Sequence, residues 1–193
     1  MTSKFSVACA SLGTSLLLLL LLGAGPASAF GDATPGFYVE GGSTFQGGAD
    51  ADAWAAGAVL PWSPSGDYTV DGRSFAWDLF ASQWRSPERL DGGRRNYAQI
   101  GVIATWRYRF DAGRSPWFAD AGIGGTVMNH IYRPTERPFS STFQFTEVLG
   151  LGRSFGQRGE HEVSMRVQHF SNAGIKKPNP GANFVRLRYL YRF

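Results

Sequence analysis

Long alternation of apolar and polar residues is the feature that most limits how this chain can fold. The clearest example is AQIGVIATWRYRF, residues 98–110, in which every second residue from Ala98 to Phe110 is apolar. The positions between them are polar or Gly, apart from Ile103. Because side chains alternate between the two faces of a β-strand, this segment predicts a strand with one apolar and one polar face.

Similar segments recur and are separated by turn-like stretches rich in Gly, Pro, Asp and Ser. No long apolar run that could form a membrane helix follows the first 29 residues. The chain therefore predicts an all-β fold, an eight-stranded antiparallel transmembrane β-barrel whose strands have roughly the length that a membrane requires. A soluble lipocalin-like barrel is the alternative. The predicted strands are residues 36–47, 51–62, 72–85, 96–110, 116–128, 141–154, 161–171 and 183–193.

The first 29 residues predict a cleaved secretory signal peptide. Lys4 precedes an apolar run from Leu16 to Leu22, and small residues follow up to Ala29. That run is shorter than the roughly 20 residues of a helical membrane span. We therefore expect a signal peptide at 1–29 and a barrel at 30–193. Cleavage would remove Cys9, the single cysteine, so no disulfide is expected.

Aromatic residues favour the bacterial outer membrane over a soluble location. Trp106, Tyr108 and Phe110 suit an interfacial girdle. The last segment alternates and ends at Phe193, which resembles the terminal strand of bacterial outer-membrane proteins. With both chain ends in the periplasm, residues 172–182 would form an extracellular loop. The net charge is +4 and the basic residues are dispersed, so no nucleic-acid partner is expected.

His169 and Ser171 are the candidate catalytic pair. Apolar residues occupy the odd positions from Val163 to Val167, so His169 and Ser171 should also point outward, with Asn183 beside them on the next strand. A neutral imidazole can take a proton from a neighbouring hydroxyl, and this pairing suits acyl transfer to water. Polar residues at the level of the lipid headgroups can also simply be solvated, so that alternative stays open.

The run HFSNAGIKKPNPG, from His169 to Gly181, resembles the signature of the PagL family of lipid A 3-O-deacylases. The resemblance implies an outer-membrane barrel that hydrolyses the ester-linked 3-hydroxyacyl chain at the 3-position of lipid A, without metal or cofactor. It makes Ser171 the nucleophile and His169 the general base, and it assigns oxyanion stabilisation to Asn172, Gly174 and Asn179. The expected partners are lipopolysaccharide and outer-membrane lipids, and a homodimer is left open.

One position departs from the family pattern. The family has an acidic residue just beyond the Pro-Asn-x-Gly turn, whereas this chain has Asn183 there. Asn183 is expected to hold the His169 ring in its place, with less stabilisation of the imidazolium. Glu147 is a distant substitute for the missing acid. The pattern of its segment does not show which residues face inward, and a structural role inside the barrel is expected for Glu147.

The missing carboxylate leaves open a noncatalytic barrel with a structural or adhesion role. An acyltransferase is a third reading, which would need an acceptor site.

The other polar residues receive mainly structural expectations. Networks inside the barrel are expected from Asp78, Asp120, Arg107 and Arg166. Solvated positions at the two rims are expected for His130 and His161, and the spacing of the three His is not that of a zinc site. Contact with lipid A phosphates, or simple solvation, is expected for Lys176, Lys177, Arg94 and Arg95.

Overall fold

The computed structural model describes residues 31–45, 50–62, 69–87, 93–134 and 136–193. The predicted signal peptide, 1–29, lies outside these residues, as do positions 46 and 47 of the first predicted strand. Within the described ranges no helix is long and apolar enough to cross a membrane. The strands are β1 (Gly36–Thr44), β2 (Asp52–Pro61), β3 (Thr69–Val70), β4 (Arg73–Pro87), β5 (Arg94–Arg109), β6 (Trp117–Met128), β7 (Phe143–Phe155), β8 (His161–Ser171) and β9 (Ala182–Arg192).

Eight of these strands form a closed antiparallel barrel, as predicted. Each barrel strand pairs with its neighbour in the chain, β1 also pairs with β9, and β2 pairs directly with β4. The two-residue β3 pairs with β4 only and lies outside this circle. The predicted strand ends are within about two residues of the observed ones wherever both are described. Closure leaves no free sheet edge, which is the condition for a sheet to span a bilayer.

Burial alternates along most of the barrel strands, with most of their charged residues inside and mainly apolar residues outside. In β9, Arg186, Arg188 and Arg192 are buried, whereas Leu187 and Tyr191 between them are exposed. This pattern is the reverse of that of a soluble protein and is typical of a barrel surrounded by lipid. Ile103, which breaks the alternation of β5, is 1% exposed and lies inside the barrel.

Ion pairs fill much of the barrel interior. Arg107 contacts Asp32, Asp120 and Glu162, each at 2.8 Å. The predicted interior positions of the four residues named from sequence are confirmed, and the network extends further than predicted. Its further pairs join Arg166 and Arg188 to Asp78, Arg186 and Arg188 to Glu40, and Arg109 and Arg192 to both Asp32 and Glu162. Buried charges are tolerated because each is matched by a partner of opposite sign.

Aromatic residues close the opposite end of the barrel. Trp84 is fully buried and contacts Tyr132, Phe139, Phe170 and Phe184, with ring centroids 4.5 to 6.4 Å apart. Two of these rings, those of Tyr132 and Phe139, come from the connection between β6 and β7 (129–142, described except for position 135), and they enter the barrel mouth. The loop between β8 and β9 lies at this same end. The aromatic cluster thus fills the barrel interior at the end where the loop after β8 begins.

Candidate active site

Strand pairing brings the predicted site residues together on the outer wall of the barrel. His169 on β8 is the register partner of Asn183 on β9 and of Glu147 on β7. Ser171 lies two residues further along β8, and therefore on the same face as His169. Both side chains are half-buried, while the even-numbered residues of β8 between His161 and Ser171 are buried inside. The predicted outward orientation of His169 and Ser171 is confirmed.

His169 is held by Asn183. Its Nδ1–H donates a hydrogen bond of 2.6 Å to Oδ1 of Asn183. A carbonyl oxygen only accepts hydrogen bonds, so this contact places the proton of a neutral ring on Nδ1 and leaves Nε2 unprotonated. A general base needs a free ring nitrogen of this kind. Asn183 therefore contacts the ring nitrogen that Asn contacts in a Cys-His-Asn site, and its catalytic role stays a prediction.

The position of the His169 ring is also limited by Gly181. A Cβ built on Gly181 would lie 2.7 Å from Cε1 and 3.3 Å from Nε2 of His169. Gly181 has φ of +68°, a left-handed conformation that glycine adopts at no steric cost. The backbone at this glycine thus packs directly against the edge of the ring that carries the free nitrogen. Sequence reasoning did not single out Gly181 as a positioning residue.

Ser171 lies where the strand passes into the loop. Its Oγ accepts a long hydrogen bond of 3.4 Å from the Ala173 N–H. Within the described chain, no hydrogen bond joins Ser171 to His169. Catalytic hydrogen bonds are often long or poorly aligned without substrate, so this geometry is compatible with a nucleophile–base pair. Ala173 has φ of +53° and Gly174 has φ of +77°, so the chain turns sharply directly after Ser171.

The three residues predicted to stabilise an oxyanion lie in this loop, but their donor groups differ in availability. The Asn172 N–H donates to Oδ1 of Asn179 at 3.0 Å, and the Gly174 N–H donates to Oδ1 of Asn172 at 3.0 Å. The Asn172 side-chain amide donates to Lys176 O at 2.7 Å. The Asn179 NH₂ group donates no hydrogen bond to another described residue. In this conformation Asn172 and Gly174 organise the loop, and Asn179 retains a free donor.

Residues of the connection between β6 and β7 hold the loop between β8 and β9 in place by hydrogen bonds. Ser140 Oγ donates to Lys176 O at 2.7 Å and accepts from the Asn172 side-chain amide at 3.0 Å. Ser141 Oγ accepts from the same amide at 3.2 Å, and the Arg137 guanidinium donates to Pro180 O. Sequence reasoning missed these residues. Their segment, RPTERPFSS, has no periodicity, and its partners lie about 30 to 45 residues away in the chain, so no local signal could have identified them.

The expectation for Glu147 was wrong. It was expected inside the barrel in a structural role, whereas the structure exposes its side chain on the outer face of β7, opposite His169. The physical reason is the pairing register. Val148 is 2% exposed and packs with the interior cluster that includes Ile103, which forces Glu147 to the outside.

The remaining polar candidates lie apart from the pair. His130 is exposed near the end of β6, as predicted. His161, expected to be solvated, is half-buried instead: it stacks on Phe155 at 5.2 Å, and its Nδ1 lies 2.8 Å from Tyr189 Oη. Lys176 and Lys177 are exposed. Among the residues that the structure describes, no group of three His, Cys, Asp or Glu side chains could hold a metal ion.

The model of the lipid A 3-O-deacylase (PagL) family matches residues 53–192 of this chain. The chain belongs to that family. The lipid A deacylase PagL of Bordetella bronchiseptica is 43% identical over 116 residues, which cover 60% of this chain and 61% of that protein. The lipid A deacylase PagL of Pseudomonas aeruginosa is 26% identical over 134 residues, covering 69% of this chain and 73% of that protein.

A solved structure shares the fold. The crystal structure of the outer membrane enzyme PagL aligns with a TM-score of 0.62 at 22% identity, covering 82% of this chain and 99% of that one. The aligned segment of the Bordetella protein is somewhat less than two thirds of its length. Together with the apolar outer wall, the family match identifies the chain as an outer-membrane β-barrel.

Proposed function

We propose that this PagL-family barrel hydrolyses the ester bond that links a 3-hydroxyacyl chain to the 3-position of lipid A, in the outer leaflet of the outer membrane. The observation that carries this proposal is the His169–Asn183 hydrogen bond, which leaves Nε2 free as a base on the lipid-facing wall beside Ser171. A site on this wall can meet a lipid substrate without extracting it from the bilayer. The loops at this end would then lie at the cell surface.

In the proposed mechanism, Nε2 of His169 takes the proton of Ser171 as Oγ attacks the ester carbonyl. The tetrahedral intermediate collapses when the imidazolium returns the proton to the departing 3-hydroxyl oxygen of the sugar. The acyl group remains on Ser171. Water, deprotonated by the same nitrogen, attacks the acyl-enzyme and releases a 3-hydroxy fatty acid. Asn183 keeps the ring in one tautomer and orientation throughout, so the cycle needs no cofactor.

The oxyanion requires donors close to Ser171. We assign this role first to the side-chain NH₂ of Asn179, because its carbonyl oxygen is already anchored to the Asn172 N–H and its amino group is free. Asn172 and Gly174 shape the turn. Their backbone N–H groups would become available to the oxyanion when substrate displaces their present hydrogen bonds. One well-placed donor is worth about 3–4 kcal/mol in the transition state.

The acyl chain has an apolar surface to lie against. Phe145 is the register partner of Ser171, and Phe143, two residues away on the same face, is 40% exposed. An extended chain attached to the reacting carbonyl would pass along this part of the outer wall. Lys176 and Lys177 are exposed in the loop, where they could meet the phosphates of the same lipid.

The test is mass spectrometry of lipid A from cells that express either the unaltered chain or Ser171→Ala, with both barrels verified as folded in the outer membrane. Loss of one 3-hydroxyacyl mass with the unaltered chain only would support the deacylase and its nucleophile. Unchanged lipid A in both would contradict the proposal and favour the noncatalytic barrel. Transfer of the lost acyl group to another lipid, in place of free fatty acid, would favour the acyltransferase.

A further inference from the structure

Glu147 is a carboxylate on the outer wall, in the same row as the proposed base. The register places Glu147, His169 and Asn183 side by side on β7, β8 and β9. Directly opposed residues of antiparallel strands have Cβ atoms about 4.5–5.5 Å apart on the same face. His169 therefore has one polar neighbour on each side, an amide from β9 and a carboxylate from β7.

Nothing else in the described chain accounts for this carboxylate. Glu147 makes no hydrogen bond or ion pair with another described residue. Its outward neighbours along β7 are Phe145 and Leu149, and the latter is 67% exposed. On β6, the register partner of Glu147 is Ile123, which is 51% exposed. An acidic side chain flanked by apolar, lipid-facing residues is costly unless it finds a partner, and the one polar register neighbour of Glu147 is His169.

The charged groups around His169 come from few elements. On its own strand the outward neighbours are Val167 and Ser171, and on β9 they are Asn183 and Val185, none of which is charged. The loop after β8 carries Lys176 and Lys177, both exposed, and the supporting segment 129–142 carries His130, Arg133, Glu136 and Arg137. Glu147 is the one anionic group placed in register with the ring by strand pairing.

We propose that Glu147 supplies the negative charge that Asn183 lacks, so that orientation and charge stabilisation of His169 are divided between two strands. Asn183 fixes the ring by hydrogen bonding, and Glu147 stabilises the imidazolium that forms when Ser171 is deprotonated. Glu147 is thus a positioning residue that acts through His169 and does not touch the substrate. This inference rests on the proposed esterase mechanism of Ser171 and His169.

The test is the pH dependence of acyl release from purified lipopolysaccharide by the refolded barrel in detergent micelles. Glu147→Gln keeps the size and polarity of the side chain and removes its charge. We expect kcat to fall roughly 5- to 10-fold, and the acidic limb of the pH–rate profile to move to lower pH. The direction follows because the negative charge of Glu147 stabilises the protonated ring. Without that charge, the ring loses its proton at a lower pH. The matched control is Asp111→Asn, an exposed acid in the turn between β5 and β6 at the opposite end of the barrel, which should leave rate and profile unchanged.

A second variant separates charge from structure. Asn183→Asp places an anion directly on the ring, so Asn183→Asp combined with Glu147→Gln should recover both the rate and the acidic limb. A lower rate for Glu147→Gln with an unshifted profile would overturn the proposal, as would an unchanged rate. If the unaltered chain releases no acyl chain at all, the proposed function fails instead, so the two failures are distinguishable.

Discussion

Replacing Gly181 with Ala should move His169 and thereby slow the reaction. The new Cβ would lie 2.7 Å from Cε1 of His169, about 0.7 Å inside the 3.4 Å at which ordinary van der Waals contact begins. The Cβ has little room to move away from the ring, because Phe170 O lies only 3.4 Å from it. The ring would therefore have to shift by several tenths of an ångström. Displacements approaching 1 Å at a reacting group can reduce rates on the order of 100-fold, so we expect kcat to fall roughly 10- to 100-fold.

The same substitution also has a backbone cost, which must be separated from the effect on the ring. A non-glycine residue at φ of +68° costs roughly 1–2 kcal/mol of stability. Gly113, in the turn between β5 and β6 at the opposite end of the barrel, has φ of +91°, and its added Cβ would meet backbone atoms of Gly72 no closer than 3.3 Å. Gly113→Ala is therefore the matched control for backbone strain without contact with His169.

The assay combines initial rates of 3-hydroxy fatty acid release with urea unfolding of both variants. We expect the two variants to lose similar stability, while only Gly181→Ala loses activity. If Gly181→Ala retains kcat within about twofold, the ring does not depend on this contact and the reasoning is refuted. If Gly113→Ala loses as much activity as Gly181→Ala, the loss reflects general strain of the barrel and not the position of the base.

Substitutions at three further positions test the support of the loop, the packing of the barrel mouth and the ion-pair network. Ser140→Ala removes the hydroxyl that anchors Lys176 O and should cost about 1–3 kcal/mol in urea unfolding and lower kcat, whereas Ser140→Thr should retain most of both. Trp84→Ala should cost about 3–5 kcal/mol, since its fully buried ring fills the barrel mouth, and equal stability of mutant and parent would contradict that packing. Burial raises the pKa of Asp32, but Arg107 and Arg109 outweigh it and hold that pKa well below its usual range. Its ion pairs thus stabilise the fold above about pH 4 and are lost as pH falls below that, so Asp32→Asn should reduce the acid-induced loss of stability in unfolding measured at successive pH values.

Strand positions could be predicted closely because the signal is local. In a barrel surrounded by lipid, every strand has one side facing the interior and one facing lipid, so alternation survives along its whole length. The exception within β5, Ile103, joins an interior apolar cluster with Val148 and Leu190. Its side chain packs against residues of other strands inside the barrel, a role that its own segment does not encode.

Glu147 was assigned to the wrong face for a related reason. In TFQFTEVLGLGRSF, the apolar residues Val148 and Leu149 are adjacent and face opposite sides, so parity cannot be read from the segment alone. Pairing with β8 decides it, since Val148 is opposite the buried Gln168 and Glu147 is opposite His169. A shift of register by one residue would reverse both faces.

The sequence by itself determined that this chain forms an antiparallel barrel with apolar residues outside, that His169 and Ser171 share the outward face of one strand, and that no carboxylate occupies position 183. These properties follow from the period of two and from a contiguous motif. Only the tertiary structure decided that Asn183 bonds Nδ1, that Gly181 packs against the ring, that residues 137–141 support the loop, and that Glu147 stands opposite the base. Those relations join residues distant in the chain, and they are set by the register and closure of the sheet, which no single segment encodes.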